Sequence, residues 1–155
     1  MIRIYPGDLI AISVSGKYYY VLVLDRIRLF GGNWTFAFHR TSDQLLSSEE
    51  ILSRPQLGFH AFVDFIWAKR EDRITRIAKQ INVEPYDHVQ YLKNTHTTKG
   101  KATTWFIYDR QFNEIKRTSE LTEEEKRAPL EERIDDTIMA DCVDRKWTPE
   151  KDERL

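Results

Sequence analysis

Four histidines, one cysteine and two charge clusters are the residues of this 155-residue chain with types suited to chemistry. His39, His60, His88 and His96 could ligate a metal or act as general bases. None forms an H-x-x-x-H pair, and no second cysteine is present to complete a zinc set. His88 alone has an adjacent carboxylate, Asp87, the minimum for a hydrolytic pair, and that role would also need a pKa perturbed in a cleft. The spacing favours surface or hydrogen-bonded strand histidines, so we expect no metal, no cofactor and no enzymatic activity. Cys142 lies on an apolar helical stripe, where a thiol is packing and not a nucleophile. Lys99-Gly100-Lys101-Ala102-Thr103 lacks the first glycine of a phosphate loop, and no helix follows it.

The charge clusters point to binding. Lys69, Arg70, Arg73, Arg76 and Lys79 would largely share one face for phosphate if helical, but Glu71 and Asp72 interrupt them, and a solvated charged surface is the simpler reading. Tyr18 to Tyr20 and Trp34 to Phe38 could stack the bases of a single strand, although core packing explains them more plainly. Glu123, Glu124, Glu131, Glu132, Asp135 and Asp136 are concentrated near the C-terminus, where they would attract a basic partner and raise its association rate. Lys126, Arg127 and Arg133 lie among them and can pair with several.

The elements that must position these groups are mostly strands. Leu9 to Val14, a Ser15-Gly16-Lys17 turn and Tyr18 to Leu24 read as a hairpin. Asp25 and Arg26 then interrupt the apolar run, which suggests a bulge before Ile27, Arg28 and Leu29 resume and Gly31-Gly32 turns into a third strand at Trp34 to His39. Ser47 with Glu50 forms a capping box for a short helix stopped by Pro55. Phe59 to Trp67 alternates as a core strand, while residues 73–81 read as either strand or helix, since Ile74, Ile77, Ala78 and Ile81 fit helical spacing in a short, β-branched stretch. Residues 83–101 read as a long polar loop. Thr103 to Asp109 forms a strand with Phe112 to Lys116 as its mate. Thr122 caps one helix, Pro129 starts another carrying Leu130, Ile134, Ile138 and Cys142, and order ends at Thr148-Pro149.

These signals describe a mainly β, α+β chain: a strongly bent antiparallel sheet, or a small SH3-like partial barrel, with C-terminal helices packed on it. Its length, with 41% hydrophobic residues, fits a single domain over 1–149 and a frayed tail over 150–155. The net charge of −1 implies neither a membrane surface nor a nucleic acid in bulk. Residues 118–155 nevertheless carry a balance of −6, leaving +5 on residues 1–117. A single cysteine, no secretory leader pattern and no apolar run of spanning length make the cytoplasm the expected location, and the Asn33-Trp34-Thr35 acceptor pattern a chance match.

A further pattern runs through the chain: Gly7-Asp8-Leu9-Ile10-Ala11-Ile12, Gly16-Lys17-Tyr18, the strand Trp105 to Asp109, and a terminal helix closing on Lys146-Trp147-Thr148-Pro149. In this order it resembles the immunity protein 26 family, β-rich proteins of bacterial polymorphic toxin loci, over about residues 3–149. The resemblance implies a strand over residues 73–79 and a protein that binds and neutralises a cognate toxin by occlusion, with no chemistry of its own. Were that toxin a nuclease, the acidic residues above would cover its basic cleft. The alternative is a small nucleic-acid-binding β-barrel.

Overall fold

The computed structural model describes residues 1–27, 32–53 and 57–155. Arg28, Leu29, Gly31 and Pro55, expected in the second strand's continuation, its glycine turn and the stop after the first helix, lie outside the described residues. The chain is mainly β and divides into two compact units. Residues 1–87 and 133–147 form one, and residues 88–132 and 148–155 the other.

The first unit is built on a six-stranded sheet. Strands β1 (Leu9–Val14), β2 (Lys17–Ile27), β3 (Gly32–Ser42), β4 (Gly58–Asp64), β5 (Ile74–Ala78) and β9 (Arg133–Asp135) pair in the open order β5-β1-β2-β3-β4-β9. Ser15 and Gly16 turn the first hairpin with φ of 50° and 79°, the doubly positive conformation that a two-residue turn requires and glycine supplies without strain. The expected bulge is present, since the β2–β3 register shifts between Val23 and Asp25, with a second shift between Tyr19 and Val21. β9 runs parallel to β4, so the sheet is mixed and not purely antiparallel.

Period-two patterning sets the core. Ile10 and Ile12 of β1, Val21 and Val23 of β2, and Phe59, Ala61 and Val63 of β4 share one apolar cluster. Helix α4 (Asp136–Asp144) packs Met139, Ala140, Cys142 and Val143 into it. The capping box at Ser47 and Glu50 opens α1 (Ser48–Leu52) as expected, and β5, over Ile74–Ala78, resolves the ambiguous stretch 73–81 as the strand that the resemblance implied for residues 73–79.

Two expectations for this unit fail. The alternation from Phe59 to Trp67 does not continue as strand: β4 ends at Asp64, Phe65 stays buried, and Ile66–Arg70 form helix α2, leaving Trp67 55% exposed. Nor does a helix start at Pro129. Asp135 caps α4 instead, its carboxylate accepting the Ile138 N–H at 2.8 Å.

Close packing of β3 on β4 depends on Gly58. A Cβ there would run into the Ala37 carbonyl oxygen and reach within 2.8 Å of the Phe36 ring. Gly58→Ala is therefore expected to destabilise the protein by roughly 1–3 kcal/mol. Urea unfolding measures this, and an unchanged midpoint would show that the two strands can part at no cost.

The second unit holds a three-stranded sheet of β6 (Tyr91–Thr98), β7 (Lys101–Asp109) and β8 (Glu114–Thr118), followed by α3 (Glu123–Lys126) with its Thr122–Glu125 capping box. The stretch expected as a long loop thus contains a strand, turned into β7 by Lys99 and Gly100 with φ of 52° and 78°. Residues 129–131 are extended alongside β6. Lys93 donates its N–H to the Pro129 carbonyl at 2.9 Å and accepts from the Glu131 N–H at 2.8 Å, and these bonds take the backbone that a helix would have used. The tail is not frayed: a 3₁₀ turn spans Pro149–Lys151, Asp152 is buried, and Arg154 pairs with Asp152 and Glu132, each at 2.7 Å.

Candidate functional site

Most sequence-flagged groups are committed to the fold. His39 Nε2 lies 2.8 Å from the Trp147 carbonyl, His60 Nε2 lies 2.5 Å from that of Tyr86, and His96 meets the Phe106 ring edge-on. Asp87 accepts the Trp34 indole N–H at 3.0 Å, while His88 is exposed. Among the described residues no group of three or more His, Cys, Asp or Glu side chains could hold a metal ion. Cys142 is buried, and burial pushes its thiol pKa up. Lys99 and Gly100 turn a hairpin and do not form a phosphate loop. The aromatic runs are core: Tyr19, Tyr20, Trp34, Phe36 and Phe38 are all buried, and burial together with the Asp144 carboxylate raises the Tyr19 phenol to about 12.

The six acidic residues do not share one helix face. Glu123, Glu124, Glu131 and Glu132 belong to the second unit, and Asp135 and Asp136 to the first. Asp136 is 1% exposed and bound to Arg73 at 2.6 Å, which removes it from any surface. Asp135 is spent as the α4 cap. Glu132 pairs with Arg154, and Glu131 is half-buried, with burial raising its pKa. Glu123 pairs with Lys126 at 2.5 Å yet leaves its side chain 80% exposed, and Glu124 beside it is exposed.

The basic cluster disperses in the same way. Arg73 goes to Asp136 and Arg76 to Asp8 at 2.9 Å, while Arg70 stands 5.1 Å over the Trp67 ring. Lys69 enters a cleft that sequence reasoning missed. This cleft in the first unit has a volume of about 1170 Å³ and gathers Arg3, Tyr5, Arg26, Lys69 and Arg133 around Asp64, the single carboxylate among its described lining residues.

Each wall of the cleft has a local cause. The N-terminal arm is held by Asp8, whose carboxylate accepts the Tyr5 N–H at 2.9 Å, and by Arg76, which also donates to the Arg3 carbonyl. Arg26 follows the β2 bulge, its N–H bonded to the Asp25 carboxylate at 2.6 Å. Asp64 receives the Ile66 N–H at 2.9 Å at the start of α2, which carries Lys69. Arg133 opens β9 and stands 3.6 Å from Asp64. Burial, and then the Arg26 charge, lower the Lys69 pKa, while Asp64 acts against them. No sequence window holds this set; only the strand order brings residues 3, 26, 69 and 133 together.

Compared with family models, curated proteins and solved structures, the chain matches none.

Proposed function

We propose that the chain is an immunity-type protein that binds and neutralises a cognate bacterial toxin by occlusion, in the cytoplasm of the cell that makes it. The likeness to the immunity protein 26 family supports this reading, and the residues that carry it have architectural uses. Gly7 donates its N–H to the Val23 carbonyl at 2.8 Å, Gly16 turns the first hairpin, Trp105 is buried in β7, and the Trp147 carbonyl lies against His39. A signature spent on turns and packing leaves partner choice to surface side chains.

The observation that carries the proposal is the pair of exposed carboxylates Glu123 and Glu124 on α3, with exposed Glu120 just ahead of them. They suit the basic substrate cleft of a nuclease toxin, within an interface of roughly 800 Å² per partner. Co-purification with the product of the adjacent open reading frame tests the partnership. Reversing both charges, Glu123→Lys with Glu124→Lys, is expected to slow association about tenfold at low salt, since exposed charges act mainly on encounter. Unchanged association kinetics would remove α3 from the contact.

A further inference from the structure

Besides α3, the first unit carries a feature that toxin occlusion does not use. Four cationic side chains, Arg3, Arg26, Lys69 and Arg133, line one cleft against the single carboxylate of Asp64 among the described residues. Arg3 and Arg26 are exposed and Arg133 stands 3.6 Å from Asp64, so the cations are solvated and their net positive field is open to an anionic ligand. At about 1170 Å³ the space exceeds the roughly 300–1,000 Å³ of a small-molecule pocket, which suits an extended ligand. Tyr5 lines it with 52% of its surface exposed, whereas Ile66 and Lys69 are the α2 residues among its lining and Trp67, 55% exposed, stands outside it on the same helix. The Arg70 guanidinium covers one face of the Trp67 ring.

From this geometry we propose that the cleft binds single-stranded nucleic acid, its phosphates against Arg3, Arg26, Lys69 and Arg133 and a base against Tyr5, with Trp67 outside the cleft as a stacking face for a strand that runs on past it. Charge alone would serve an acidic peptide equally. The exposed aromatic faces decide between them, because unstacked bases find partners on π surfaces and carboxylate side chains do not. A duplex keeps its bases stacked inside and would leave Tyr5 and Trp67 unused.

Anisotropy of fluorescein-labelled twelve-nucleotide oligo-dT and oligo-U, titrated with the full chain, tests the proposal. Four phosphate contacts on a single strand give a log–log salt slope of about −3, so affinity is expected to fall about 50-fold between 50 and 200 mM salt. The double variant Arg3→Glu with Arg26→Glu alters two exposed side chains. It should bind at least tenfold more weakly at 50 mM salt and lose about half of the slope. Trp67→Ala should weaken binding roughly 5- to 100-fold and leave the slope unchanged.

Absence of binding at 50 mM salt, or equal binding by the double variant, would overturn the assignment. So would a poly-glutamate peptide binding as tightly as the oligonucleotides with Tyr5→Ala and Trp67→Ala both silent, an outcome that gives the cleft to an acidic protein segment. Because these variants leave α3 intact, failure here is distinguishable from failure of toxin neutralisation.

Discussion

Arg73→Ala is expected to destabilise the protein by about 3–5 kcal/mol, the usual cost of stripping the partner from a buried charge. The Arg73 guanidinium bonds Asp136 Oδ2 at 2.6 Å, the Ser13 carbonyl at 3.1 Å and Glu71 Oε2 at 2.6 Å, so one side chain joins β1, the turn before β5 and the first turn of α4. Asp136 is 1% exposed and loses its ion-pair partner when Arg73 is truncated. Adding Asp136→Asn to the variant removes the stranded charge and should recover a large part of the loss. Urea unfolding of the two single variants and the double gives the coupling directly. A loss below about 1 kcal/mol for Arg73→Ala would place the pair among ordinary surface bridges and leave α4 held by packing alone.

Lys93 should give the protein a stability that climbs with alkaline pH. Its side chain is 0% exposed, donates to the Lys126 and Pro149 carbonyls, and lies 5.6 Å from the Trp105 ring. Burial lowers its pKa from 10.5 to about 8; nearby Asp152 and Glu150 favour the charged form, and Arg154 opposes it. Below pH 8 folded and unfolded chains both hold the proton, and the burial cost is complete. Between pH 8 and 10.5 only the unfolded chain holds it, so stability rises by up to ~3 kcal/mol over that window. Tyrosines and other lysines also titrate there, so the readout is the difference between wild type and Lys93→Met, followed by urea unfolding from pH 7 to 10.5. The gap should shift across the window in favour of wild type. Parallel curves would mean that Lys93 reaches solvent when charged.

What the sequence disclosed and what it hid divide along the range of the interactions. Ser15-Gly16, the interruption at Asp25-Arg26 and the Ser47 and Thr122 caps act within a few residues, and all appear where their chemistry puts them. β6 escaped because only Leu92 and Lys93 of its eight residues are buried, so no alternation marks it; its β-branched Thr95, Thr97 and Thr98 and the Lys99-Gly100 turn were the available signal. The four-residue repeat from Leu130 to Cys142 mimicked a helix. Leu130 is extended beside Lys93 and Ile134 lies in β9 beside Val63, and only Asp135, a strong capping residue, marked the true start.

The candidate sites depended on longer reach still. Nothing near Asp136 reveals that an arginine 63 positions away buries it, and the cations of the cleft are drawn from both ends of the chain. Lys93 sat unremarked in a polar run, because a buried lysine is identified by the carbonyls it meets and not by its neighbours in sequence.

The first unit is assembled from two stretches of chain, residues 1–87 and 133–147. On the ribosome its first five strands therefore emerge well ahead of the segment that supplies Met139, Ala140, Cys142 and Val143 to their core. At ~5–20 residues per second, synthesis of residues 88–132 leaves that apolar face uncovered on the nascent chain for roughly 2–10 s. During that interval the uncovered face is open to non-native contacts and to chaperones.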